Sequence, residues 1–592
     1  MTDLDSYFKD ENIIKLLCKY RVNEANKRHA KHMIRNVSLH KSTKKFLITD
    51  DQENFKFLQS IFPSRRDWKK LNEVERKKYK DTISVNTRRL YKSVEVTRRD
   101  IGRGGTIPVW YTNLNNFVIE LQSDVQNILV STFQITKPNI KGIKKEEKKE
   151  GKKEVIIYRP IALYDFKDKI ICSLTSKYLV NYFEHIFKKL NCSYAFRPKR
   201  IDGTFPDHHD CITEIINYKS IHPSLWVAEC DIQKFFDTVQ HHHISDVFDR
   251  HAAEIEKESG VPFDLRAKKI FNLFLDSFNF QESILSLKED WFETNNLPFG
   301  KFKWVEKDLN EKFGAEYTIK HKIGVPQGNA ISCFIANLIL HDVDVSVKSY
   351  DDSVFYIRYC DDMVLMYPDE KRCSEALNVY MEGIDKNYLL YHNPKKFLNY
   401  KNQAVSKKFW DSKSKEPFMW GDKNSNENNI PWVSFVGYQV DYHKRIRVRK
   451  ATLRKETKKQ ILETQKVIKA LGKLHRNMEV ADEHARLSKD QIVFRMQQRL
   501  ISMSVGRVTI HNHKKPLEQG FCWTNGFKKL EKNKISSKQL RHLDKRRNLQ
   551  INRIRRELRK IIKATDNATF PEELKKLHFG GAYSYYNFLK YK

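Results

Sequence analysis

The chain has 592 residues, 40% of them hydrophobic, which is enough for several domains around a large core and excludes a disordered chain. Lys and Arg number 109 against 74 Asp and Glu, a net charge of +35, so a polyanionic partner is expected, nucleic acid before an anionic membrane. The nine cysteines are scattered with no CxxC pair, which argues against a disulfide scaffold and a structural zinc site and fits a reducing cytoplasm.

The first residues, MTDLDSYFKDENIIKLL, carry acids where a secretion signal needs a basic region and an apolar core. No uncharged apolar run reaches spanning length, so no transmembrane helix is predicted. Residues 1–150 read as a helical extension of mixed charge, with few glycines outside GRGG at 102–105. The run KGIKKEEKKEGKKE that closes it reads as a solvated loop or hairpin tip whose lysines are open to phosphate.

Residues 151–445 change character. Short β-rich runs (VIIYRPIAL, LWVAECDI, SVFYIRYCDDMVLMY, VSFVGYQVD) alternate with helical ones, which predicts an α/β domain around a sheet. Within it, 250–320 reads as a helical insertion with an aromatic-rich end. From 446 to 592, Leu and Ile recur at three- and four-residue spacing among Lys and Arg, as in RHLDKRRNLQINRIRRELRKIIKA. These are amphipathic helices with cationic outer faces, either a solvated bundle or, in better accord with the charge, a nucleic-acid cradle. They lack the clustered Trp/Phe face of a membrane-surface helix.

The stretch RYCDDMVLM sets Asp361 beside Asp362 between two strand-like runs, a pattern that predicts a hairpin with the acids at its tip. Neighbouring carboxylates repel, so a cation is expected there. Upstream, Asp231 ends the apolar run of VAECD, which reads as a buried strand. If the two strands are neighbours, Asp231 and Asp361 converge. They would then hold two Mg²⁺ ions roughly 3.5–4 Å apart for in-line phosphoryl transfer, Mn²⁺ being an alternative, with Asp362 assisting. His241–His243, adjacent on one segment, read as helix-start residues and not as metal ligands.

The segments around these acids resemble the reverse transcriptase family, most closely the bacterial type related to group II intron proteins. YRPIALYDFKDKII looks like its first fingers motif, and SYAFRPKR with HHDCI like the next. CDIQKFFDTVQH and YCDD resemble its two palm carboxylate motifs, and GVPQGNAISCFIANLIL its PQG helix. NPKKF and FVGYQVD are similar to its lysine-bearing motif and primer grip. The likeness spans about residues 155–445.

It implies an RNA-directed DNA polymerase with an α+β palm. Fingers and palm would occupy 151–445, and a basic helical thumb or C-terminal domain 446–592. By the same resemblance Asp231, Asp361 and Asp362 are the metal-binding catalytic residues. Arg159 grips the triphosphate as a planar fork, and Phe236 collides with a ribose 2′-hydroxyl and selects dNTPs. Gln327 and Gly328 lie at the nascent base pair, and Lys396 near the leaving pyrophosphate. Gly437 lets backbone meet the nucleic acid at the primer end, and Phe435 and Tyr438 are either contacts to it or core. Arg197 is either a phosphate ligand or one half of a salt bridge.

Asn329 stands where the intron type has a second glycine, Cys333 where it has proline, and no Cys/His-rich module follows the palm. The layout therefore looks more like the reverse transcriptases of abortive-infection and phage-defence systems. The implied partners are an RNA template, including a dedicated noncoding RNA, a DNA product and dNTPs, with no membrane and with room for a homo-oligomer. The tail YSYYNFLKYK offers tyrosine hydroxyls as a protein primer. Two alternatives stand beside this reading: template-independent DNA synthesis on the same fold, and an RNA-binding, maturase-like protein with a vestigial site.

Overall fold

A computed structural model describes residues 3–35, 50–79, 82–150, 153–294, 304–397, 403–421, 432–476, 523–531, 533–566 and 583. The N-terminal extension is helical as expected: α1 (Asp10–Arg35), α2 (Asp50–Ser60), α3 (Thr82–Ile101) and α4 (Val109–Gln126). Their apolar spacing explains this. In α4 the buried Tyr111, Leu114, Val118, Leu121 and Val125 recur every three or four residues, one stripe of a helix.

The charged run proves to be the far end of a long antiparallel hairpin, β1 (Asn139–Glu150) and β2 (Lys153–Leu163), with a register shift between Lys144 and Glu146. A domain boundary at 150 would cut this hairpin in two. The chain instead divides into one compact unit of 1–13, 118–436 and 440–445, and a second of 14–117, 437–439 and 446–592.

In the first unit α5 (Phe166–Leu190) and α6 (His208–Ile221) lead to β3 (Trp226–Glu229). The short α7 (Phe235–Thr238) and then α8 (His241–Ser259) follow. Beyond the insertion come α9 (Ala330–Tyr350), the hairpin β4 (Phe355–Tyr359) and β5 (Asp362–Tyr367), α10 (Glu370–Lys386) and β6 (Lys415–Met419). The strands form one four-stranded sheet in the order β4-β5-β3-β6, every neighbouring pair antiparallel. This makes the domain α+β. Val227 and Ala228 of β3 and Met363–Met366 of β5 are buried without alternation, as strands covered on both faces require.

The insertion folds as short helices over an aromatic cluster that includes Phe278, Phe280, Phe292 and Tyr317. Helix α9 is long and apolar enough to cross a membrane by composition, which the sequence reading did not expect. It is a core helix: it packs against α5 and α10, and most of it is buried. Its apolar character comes from facing protein on most sides.

The second unit carries the expected basic helices α11 (Lys450–Arg476) and α12 (Lys534–Asp566), which pack on one another. Leu540, Leu543, Ile551 and Ile554 make the buried stripe of α12, while Lys538, Arg541, Lys545 and Arg556 are exposed. Tyr583 is fully buried here. Its hydroxyl donates to Glu456 Oε1 (2.7 Å) and its amide to Asp544 Oδ1 (2.8 Å). A tyrosine so placed is no primer, and the other tail tyrosines lie outside the described residues.

Candidate active site

Strand pairing brings the acids together. β3 faces β5 through Trp226–Tyr367, Val227–Met366 and Ala228–Leu365. Continuing that register three residues sets Asp231 level with Asp362 and beside Asp361. The Cys230 amide lies 3.3 Å from the Met363 sulfur, as this register requires. On the other side of β5, Tyr359 pairs with Asp362, which leaves Cys360 and Asp361 as a two-residue turn. Cys360 has φ +60°, the left-handed conformation such turns demand and glycine usually fills. The acids thus sit at the tip of a hairpin in mid-sheet, next to the end of β3.

Asp231 is held from the solvent side. Its Oδ2 lies 2.8 Å from Lys413 Nζ and 3.6 Å from His392 Nε2, and those two groups are 3.2 Å apart. Its amide donates to Ser414 Oγ (2.9 Å), and its carbonyl accepts from the His392 amide (3.0 Å). Hard carboxylate oxygens at neighbouring strand ends are the ligand type that suits Mg²⁺ or Mn²⁺. The Lys413 ammonium already occupies a cation's position against Asp231.

Next to this lies the segment expected to meet the nucleotide. Phe236, half-buried on α7, accepts the Val325 amide at its carbonyl (2.8 Å), and Val239 accepts the Gly324 amide (2.7 Å). This pairing brings the chain at Pro326–Gly328 next to α7. Gln327 Nε2 donates to Asp237 Oδ1 (2.7 Å), and its carbonyl accepts from the Ala162 amide of β2 (3.4 Å). Gly328 has φ +104°, closed to most side chains. Arg159 is exposed on β2, three residues before Ala162, opposite Ile143. Asn329 has a local role: its side chain accepts the Ile331 amide (3.0 Å) and caps α9.

The remaining sequence candidates divide. Lys396 is exposed beside the start of β6, where Lys395 exchanges backbone hydrogen bonds with Ser414 and Glu416. The lysine that touches Asp231 is Lys413, which the sequence reading did not single out. Phe435 is buried. Tyr438 is fully buried, edge-on to Phe527 with ring centroids 5.2 Å apart. Both are core side chains, the second of the two readings open to them, because this segment turns its rings inward. Gly437, at φ +88°, leaves backbone there.

Arg197 is a salt-bridge partner: it is nearly buried and forks onto both carboxylate oxygens of Glu184 (2.5 and 2.6 Å). The histidines of 241–243 diverge to Gly324 O, Asp246 and Asn387. The described group whose ligand atoms do lie together, within 4.8 Å, is Asp207, His208 and His209. There Asp207 is the N-cap of α6. Two further residues were missed, Arg358 and Asp344. Their signal was a charge embedded in each of two apolar runs, SVFYIRYC and LILHDVDV.

Residues 143–416 match the family model described as reverse transcriptase (RNA-dependent DNA polymerase). No curated protein matches the chain. Among solved structures, the chain is similar to telomerase from Candida albicans in complex with a TWJ fragment of telomeric RNA. Identity there is 10% over 79% of this chain and 69% of that one, at a TM-score of 0.31. Apo telomerase from Candida tropicalis is similar at 11% identity over 98% and 88%, with a TM-score of 0.33. The same telomerase truncated from its C-terminal domain gives 12% over 56% and 59%, with a TM-score of 0.29. The family match spans β2, the whole four-stranded sheet as far as Glu416, and all three acids. Residues 143–416 therefore match a reverse transcriptase (RNA-dependent DNA polymerase) domain, and the fold they build around the four-stranded sheet is α+β.

Proposed function

We propose that this chain copies an RNA template into DNA, adding dNTPs at a site made of Asp231, Asp361 and Asp362 around a pair of divalent ions, Mg²⁺ in the first place. The observation that carries the reading is the β3–β5 register, which, continued three residues past Ala228–Leu365, levels Asp231 with Asp362 beside the turn. When bound, the ions supply charge stabilisation for the attacking 3′-hydroxyl and the leaving pyrophosphate. Asp231 and Asp361 hold them, and Asp362 tunes the site from the first position of β5. Arg159 takes the triphosphate from the exposed side of β2, and Lys396 or Lys413 meets the pyrophosphate.

Phe236 stands against the sugar, and Gln327, fixed by Asp237, faces the base pair with Gly328. The exposed cations of α12 offer phosphate contacts to nucleic acid. The chemistry is tested by Asp231→Ala and Asp361→Ala. Each is expected to abolish Mg²⁺-dependent dNTP incorporation on a primed RNA while the circular dichroism spectrum is kept; incorporation by either variant would refute the reading. Leaving out the RNA separates templated from template-independent synthesis.

The biological setting we assign is antiphage defence in the cytoplasm, on the resemblance of the layout to defence-associated reverse transcriptases. Phage plating on cells that carry the chain or its Asp361→Ala variant tests it. Equal plating with and without the intact chain would remove that assignment.

A further inference from the structure

Beneath the turn lies a charge that folding alone does not explain. Arg358, on β4 two residues before Cys360, is fully buried. Its Nε donates to Asp344 Oδ1 (2.8 Å) and Oδ2 (2.9 Å), and its Nη2 to Asp344 Oδ2 (2.7 Å). Its Nη1 donates to Asn337 Oδ1 (2.9 Å) and reaches the carbonyl of Cys360 (3.4 Å). Asp344 also accepts from Tyr356 Oη (2.8 Å).

Asn337 accepts from Ser193 Oγ (3.0 Å) and donates to the Ala195 carbonyl (2.8 Å). The main chain of Arg358 bonds Cys192 and Tyr194. One side chain therefore ties the turn to α9 and to the segment after α5. A buried ion pair is a poor source of stability, since apolar residues of the same shape serve as well or better. What such a pair supplies is geometry. Here its reach ends on the one residue of the turn with positive φ, a strained conformation for cysteine that the surroundings must enforce.

We infer that Arg358, held by Asp344 and Asn337, is a positioning residue that fixes the Cys360 carbonyl, and with it the direction of the Asp361 carboxylate toward the metal ions. The inference rests on the polymerase reading above. It is tested in the full chain with Arg358→Lys, which keeps the charge beside Asp344 but loses the planar fork, and with Asn337→Ala, which leaves the ion pair whole. His251→Gln, which breaks a different buried pair with the same helix, is the control for lost stability.

Mn²⁺ binding is read by electron paramagnetic resonance without nucleotide, taking as signal the part that Asp361→Asn removes. Arg358→Lys is expected to weaken that binding, and kcat, roughly 10–100-fold, as loss of a group that orients a ligand does, with KM for dNTP and affinity for primed RNA kept. Asn337→Ala shifts both in the same direction by less, and decides alone if Arg358→Lys does not fold. Wild-type Mn²⁺ affinity in the variant that decides overturns the inference, as does an equal loss in His251→Gln at a matched melting temperature. If Asp361→Asn removes no binding, the metal site itself falls, and that outcome is separate from the others.

Discussion

Two strand ends lie side by side at the candidate site, and they are held in opposite ways. The Cys360–Asp361 turn is supported from inside: Arg358 and Asp344 are each 2% exposed, and the hydrogen bonds between them are buried. Asp231, at the end of β3, is held from outside, by Lys413 at 52% exposure and His392 at 35%. The difference teaches a division of labour. A buried network holds geometry and tolerates no loss, because an unpaired charge in the core has no solvent to turn to. An exposed cation sets local potential, is screened, and gives way readily to a metal ion.

The largest expected effect is on the inner side. Arg358→Met strands the Asp344 carboxylate, and about 3–5 kcal/mol of unfolding free energy should be lost in urea titration. The double variant Arg358→Met, Asp344→Leu should regain most of that stability without regaining polymerase activity. Full activity in the double variant would erase the contrast between the two ends.

The helix that presents Asp344 carries a second test. Burial pulls the His341 pKa down to about 4, although Asp344 and Asp342 work against it. The unfolded chain takes up this proton near 6.5, the folded one only near 4, so stability should fall as pH drops through that window, by about 3 kcal/mol in all. His251, its ring 5.2 Å away, has the opposite sign. Burial lowers its pKa, but Asp342 and Glu254 more than offset that and leave it raised. Its contribution is full below 6.5 and is lost as pH rises through the folded value. Unfolding titrations of His341→Asn and His251→Gln against pH should each flatten one limb; a wild-type profile in both would show that the support under the turn does not titrate.

On the outer side the effects shrink. Phe236→Ala should relax discrimination between dNTP and rNTP by roughly 10–200-fold, the range for a shape mismatch in a pocket, read from the ratio of kcat/KM values. Unchanged discrimination would take Phe236 out of the sugar contact. Smallest is Lys413→Ala. An exposed pair contributes about 0.2–1 kcal/mol, so Mn²⁺ affinity at Asp231 should rise by about fivefold at most, and less at high salt. A tenfold loss instead would make Lys413 part of the inner scaffold.

Much of the site was legible in the chain. The hairpin at Asp361 showed in period-two alternation around two acids, and Asp231 in an apolar run that stops at a carboxylate. What misled was one-dimensional context. Phe435 and Tyr438 sit in a segment that resembles a primer grip, and of the two readings open to them their rings take the core one. Lys396 lies in the lysine motif, yet Lys413 reaches Asp231.

By itself the sequence determined which segments become strands or helices and where the acids lie along them, because side-chain periodicity and turn propensity act over a few residues. Only the tertiary structure decided who holds those residues. Lys413 meets Asp231 across 182 positions, and Ser193 meets Asn337 across 144, beneath the turn. Such pairings follow from sheet order and helix packing, and no local pattern encodes them.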